Sequence, residues 1–315
     1  MQMIRTRAPN WELLTHDPQK HRHYPGEFEH RLVWGALQRA LGPRSEDALL
    51  DCTVLVLKPE CFRRRVCATI LDFVAQNGFS ILDAEIRHIP TAEEHYIWRY
   101  QWNAATLDRL RLFAIKNRGE SSAILLLRRP AAAHRGVPAS VHLSASKGST
   151  AYLDRRRATD LRTMLDVPNR ALTFIHCPDE PADLLRELAV LCPDAERLPR
   201  VLAAGRDDTA RIRERVLQFE STIPAHGLRY RDIAPQRDLP VDGARKFALD
   251  DVRGHFGDLD APGERWDFIT CAAELIQHDR SDEGPVITTR FLPAIQESWM
   301  PAPAPAPTIS AVTAA

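Results

Sequence analysis

Leu50-Asp-Cys-Thr-Val-Leu-Val-Leu-Lys58 is a short apolar run that ends on a polar pair. A run this short, closed by charge, predicts a buried strand. Working outward, residues 62–77 read as a helix, with Val66, Ile70, Phe73 and Val74 on one stripe and Gly78 as its stop. Residues 79–86 predict a second strand. A second helix follows over 91–102, where Thr91 and Glu94 have the spacing of a capping box. Ser122–Arg128 reads as a third strand and residues 171–175 as a fourth. A helix then starts near Pro181, with Leu184, Leu185, Leu188 and Leu191 on one face. Strands separated by helices, some too distant for hairpins, predict a layered α/β sandwich.

The flanks have a different texture. Residues 1–48 form an N-terminal extension rich in Trp, His, Pro and Arg, with one helical segment at 28–41. Residues 198–299 are expected to be a mostly helical C-terminal region, with helices near 208–219, 243–256 and 266–278. Residues 300–315 read as an extended, disordered Pro/Ala tail. Within the central domain, 49–197, a polar stretch at 130–169 carries Lys147-Gly-Ser-Thr150, arginines 155–157 and Arg162. So long a polar insertion is more often functional than idle.

Composition sets limits. The chain has 315 residues, 44% hydrophobic and 27% charged, enough apolar matter for a real core. Lys plus Arg and Asp plus Glu both number 42, and that balance argues against a nucleic-acid or anionic-membrane partner. Six scattered cysteines without a C-x-x-C pair, no signal-peptide pattern and no spanning apolar run lead us to expect a cytoplasmic protein.

Two strand ends carry the chemistry. Lys58-Pro59-Glu60 follows the first strand and His176 follows the fourth. Alone, the lysine would be an ordinary turn residue and the histidine a core-boundary residue. Taken in order, Val54-Leu-Val-Leu-Lys-Pro-Glu60, Glu93-Glu-His-Tyr96, Ile175-His-Cys-Pro-Asp179 and Glu187 resemble the nucleoside diphosphate kinase family. The resemblance covers roughly residues 49–192. It implies a ferredoxin-like α/β sandwich and transfer of a γ-phosphoryl group from a nucleoside triphosphate through a phosphohistidine at His176. It further implies that Glu187, eleven residues on, orients the imidazole, that Tyr96 helps position lysine and histidine, and that Lys58 and Arg162 bind phosphates. Mg²⁺ with ATP or another nucleoside triphosphate is the implied cofactor, a nucleotide the implied partner, and a homo-oligomer is allowed. Lys147 and Thr150 fall near the family's second arginine and threonine, and Thr173 stands where the family has a ribose-binding asparagine.

The departures are equally definite. Cys177-Pro178-Asp179 stands where the family has Gly-Ser-Asp, which removes the serine that links histidine to glutamate. Thr163-Met replaces the Gly-Asp after the arginine, and no aromatic base clamp appears near 104–107, although Trp102 stands close by and is expected in the core. The leading expectation is therefore a phosphotransferase with an altered acceptor. The alternatives are a degenerate nucleotide-binding or scaffold protein and an enzyme that activates a non-nucleotide metabolite with ATP. His16, His21 and His23 lack the partners of a metal site. Lys147-Gly-Ser-Thr lacks the leading glycine of a P-loop, and no Gly-x-Ser-x-Gly elbow is present.

Overall fold

The computed structural model describes residues 7–150, 156–242 and 245–301. The expected tail beyond Pro301, and Arg155 of the arginine run, lie outside the described residues. Four strands form one antiparallel sheet: β1 (Cys52–Leu57), β2 (Ser80–Arg87), β3 (Ser122–Arg128) and β4 (Ile175–His176), in the order β2-β3-β1-β4. The apolar run before Lys58 thus lies inside the sheet, paired to β3 on one side (Val54 opposite Leu126) and β4 on the other (Val56 opposite His176).

Both faces of the sheet are covered. Strand alternation sends Leu55, Leu57, Leu125 and Leu127 to one face and Val54, Val56, Ile124 and Leu126 to the other. The first face packs against the helices Cys67–Gln76 and Leu107–Asn117, and also against residues far downstream: Ile212, Val216, Trp266 and Phe268. The second face packs against Val33, Trp34 and Leu37 of the helix His30–Leu41 and Leu184, Leu185 and Leu188 of the helix Pro181–Leu191. Each flanking region therefore shares an apolar cluster with the sheet. No helix among the described residues is long and apolar enough to cross a membrane.

Several expected elements are redrawn. The helix at 62–77 is two helices, Pro59–Arg64 and Cys67–Gln76, because Arg65 takes a left-handed conformation at φ +60°. The helix at 91–102 ends at Ile97 and has Pro90 at its N-cap. Its capping box does not form, because Glu94 accepts instead from Asn117 Nδ2. A capping box does form at Glu180 and Asp183. The helix Leu107–Asn117 is an addition to the sequence reading, and the polar insertion contains a buried-faced helix, Ala139–Lys147. The fourth strand shrinks from 171–175 to Ile175–His176. Asn169 Oδ1 accepts from the amides of Ala171 and Leu172, which winds this stretch into a turn. Of the helix expected at 243–256, Leu249–Arg253 is helical.

Glu120 shows how the C-terminal region is fastened. Its Oε1 accepts from Arg63 Nη2 at 2.8 Å, Arg265 Nη2 at 2.8 Å and Trp266 Nε1 at 3.0 Å, and the carboxylate is buried. Removing the shared acceptor would leave two guanidiniums facing each other in the interior. Glu120→Ala is expected to cost about 3–5 kcal/mol of stability in urea unfolding, with Glu120→Gln costing less because it keeps an acceptor.

Candidate functional site

The site begins at a strained turn. Phe174 has φ +64°, and the Ile175 amide donates to Thr173 O at 2.7 Å across it. A bulky residue there costs about 1–3 kcal/mol and persists only where its surroundings hold it. Three groups from the segment after β1 hold it. The Lys58 amide and the Cys61 thiol each donate to Phe174 O at 2.9 Å, and Glu60 Oε1 accepts from the Phe174 amide at 3.2 Å. Glu60 is itself fixed by Lys116 Nζ at 3.0 Å, and both members of that pair are buried. The Lys-Pro-Glu turn and the approach to His176 are thus one structure.

From that base, Lys58 and His176 enter a pocket of about 710 Å³. Lys58 Nζ donates to Thr173 Oγ1 at 2.7 Å and lies 4.9 Å from the Trp98 ring centroid. His176 meets the same indole edge-on, with centroids 5.2 Å apart and planes at 78°. His176 Nε2 is 2.8 Å from Glu187 Oε2. Glu187 therefore reaches the imidazole directly, and the serine bridge that Pro178 removes is not needed for that contact. A carboxylate can only accept, so in the neutral imidazole Nε2 carries the proton and Nδ1 the lone pair. Nδ1 makes no hydrogen bond among the described residues.

The other expected site residues divide. Arg162 is buried in the pocket wall, and its guanidinium donates to the carbonyls of Gly148 at 2.9 Å and Ile175 at 3.1 Å. Thr150 and Thr173 line the pocket. Lys147 lines it too, but its ammonium is committed to Asp179 Oδ1 at 2.9 Å and Cys177 O at 3.1 Å. There it braces the loop after His176 rather than standing free for a nucleotide. Tyr96 is a correction. It does not line the pocket; its hydroxyl donates to Glu27 at 2.5 Å and its ring lies against Arg186. The helix ends one residue later, and Trp98 turns inward to take the place beside lysine and histidine. Trp102, expected in the core, is half-buried and lines the pocket, as do Arg109 and Arg170.

Charge accounting singles out two groups. Among the described residues, neither Lys58 nor Arg162 has a carboxylate within ion-pair distance. Burial, reinforced by Lys116 and Arg162, pushes the Lys58 ammonium down to about 7, against the pull of Glu60 and Glu94. Burial likewise lowers Arg162 to about 10. An anion would supply what both lack.

No protein-family model and no curated protein matches the chain. Among solved structures it is similar to the Aquifex aeolicus nucleoside diphosphate kinase, at 15% identity and a TM-score of 0.36, over 45% of this chain and 94% of that one. It is also similar to an NDP kinase from Pyrobaculum aerophilum, at 12% identity and a TM-score of 0.33, over 44% and 93%. Both likenesses are distant, and neither transfers a chemistry to this chain.

Two outcomes follow from the geometry. Anion binding at Lys58 would need its ammonium, which is lost as pH rises through about 7. Affinity for sulfate, whose own charge is constant over this range, is expected to fall between pH 6 and 8.5, approaching about tenfold per pH unit. In Lys58→Met the same titration is expected to be weak and flat; a wild-type profile that rises with pH would contradict the assignment. Gly148 has φ +78°, and a Cβ there would meet Asp160 Cβ at 2.7 Å. Gly148→Ala is therefore expected to displace the carbonyl that holds Arg162 and weaken sulfate binding, at about 1–3 kcal/mol of folding stability in thermal melts.

Proposed function

We propose that this chain is a nucleoside triphosphate-dependent phosphotransferase that carries the phosphoryl group on Nδ1 of His176. One observation carries the reading: a histidine whose Nε2 is held by a buried glutamate lines the same pocket as two buried cations that have no counter-ion among the described residues. The sheet order β2-β3-β1-β4, antiparallel throughout, supports treating the central layers as a ferredoxin-like sandwich.

The chemistry needs little else from the protein. The Nδ1 lone pair attacks the terminal phosphorus, a P–N bond forms, and the P–O bond to the departing diphosphate breaks. Glu187 keeps the proton on Nε2 and stabilises the positive charge that develops on the ring. Lys58 and Arg162 meet the charge on the phosphoryl and leaving oxygens. In the second half, an acceptor oxygen attacks phosphorus and the P–N bond breaks. Among the described residues no three side chains are placed to hold a metal ion, so Mg²⁺ would enter on the nucleotide's own phosphates.

Incubation with γ-labelled ATP is expected to leave acid-labile, alkali-stable label on the wild-type chain and none on His176→Ala. Glu187→Gln is expected to slow labelling by about a hundredfold through loss of ring orientation. Label retained at full level in His176→Ala would sink the proposal. Cys177→Gly with Pro178→Ser, which restores the family loop, is expected to change the rate little, since Glu187 already contacts the ring.

A further inference from the structure

One wall of the pocket carries charge that the phosphoryl reading does not use. Arg109, on the helix Leu107–Asn117, places Nη1 2.6 Å from Asp279 Oδ1, and Arg170 binds the other oxygen of the same carboxylate. Apart from Lys58 and Arg162, charges elsewhere in the pocket are matched: Lys147 with Asp179, Arg157 with Asp160, and Arg186 with Glu27. Here, among the described residues, the two guanidiniums share the one carboxylate of Asp279, while farther along the chain Asp282 and Glu283 are both taken up by Arg280. Arg109 Nε is also buried without a partner among the described residues.

The setting is aromatic. The Arg109 guanidinium lies 5.8 Å from the ring centroids of both Trp102 and Phe113, and both rings line the pocket. Asp279 arrives on a C-terminal strap whose backbone is pinned independently. The Arg280 amide donates to Ala104 O at 2.8 Å, and the Thr106 amide donates to His278 O at 3.0 Å. The strap therefore stays in place without the Asp279 side chain, and its carboxylate sits on the two arginines as a bound carboxylate would.

We propose that Arg109 and Arg170 form a second anion subsite, which takes a carboxylate or phosphate group borne on a flat aromatic body and which Asp279 occupies in the free chain. The subsite rests on the phosphotransferase reading only in assigning the Lys58–Arg162 end to a different anion. It makes the pocket's second substrate an aromatic acid or aryl phosphate, with its ring against Trp102 and Phe113 and its anion displacing Asp279.

The test uses the full chain with the phosphoryl end blocked by saturating pyrophosphate, and follows tryptophan fluorescence during titration with benzoate or phenyl phosphate. Asp279→Asn is expected to bind at least one probe about tenfold more tightly than wild type, and the preferred probe identifies the anion as carboxylate or phosphate. Asp279→Asn combined with Arg109→Gln is expected to lose the gain. Equal affinity of Asp279→Asn and wild type, or a gain that survives Arg109→Gln, would overturn the proposal and leave the cluster as a strut. Arg170 is exposed, so Arg170→Gln tests the subsite without threatening the fold; unchanged affinity in that variant would also overturn it. Pyrophosphate binding, measured separately by calorimetry, reports on the phosphoryl end. Its absence in wild type would refute that reading while the response to aromatic anions still decided this one.

Discussion

The buried Glu60–Lys116 pair, with the Phe174 turn that Glu60 holds, is the constraint on which the site depends. Glu60 has two oxygens and spends them in two directions, one on the Lys116 ammonium and one on the Phe174 amide. Without Lys116, the carboxylate would be an isolated interior charge, which is strongly unfavourable. Without Glu60, the left-handed Phe174 would lose the acceptor for its amide, and the short β4 strand would have less to hold its register beside β1. His176 is the second and last residue of that strand. His176 is thus placed through Phe174 by a carboxylate on the segment after β1.

Burial then sets the electrostatics. A lysine and an arginine are held inside the wall with neutral oxygens as their hydrogen-bond partners among the described residues, and desolvation disfavours their charged forms. Pocket charges that are matched in pairs serve the scaffold, as Lys147 does in bracing the loop after His176. Unmatched charges are the ones left to meet a ligand. The same distinction separates the Arg186 guanidinium, tied to Glu27 among three tyrosine rings, from the Arg109–Arg170 wall.

The C-terminal region takes part in the site as well as the core. Trp266 and Phe268 pack into the cluster under β1 and β3, while Asp279, Leu292 and Gln296 line the pocket. Gln296 Nε2 donates to Ser144 Oγ, and Ser144 in turn donates to Asp179. A segment more than a hundred residues beyond His176 thus helps set the loop that follows it. Here the chain departs furthest from a minimal sandwich, and here too its pocket is least like a bare phosphate site.

Local pattern was enough to read β1, β2 and β3 and the helix from Pro181, because alternation and stripe spacing are properties of consecutive residues. Lys58 and His176 were legible for the same reason, since each follows directly on an apolar run. Tyr96 is not legible as a neighbour of Glu27, because the helix Thr91–Ile97 ends one residue after it with Trp98 at the C-cap, and the tyrosine hydroxyl turns to a carboxylate from the N-terminal extension. The left-handed Phe174, Trp98 beside the imidazole, and Asp279 between two arginines all join residues that are distant in the chain. By itself, the sequence determined which stretches would be buried and which side chains could do chemistry. Only the tertiary structure decided which of them meet, because a buried charge settles where its partner is, and no spacing along the chain encodes that partner.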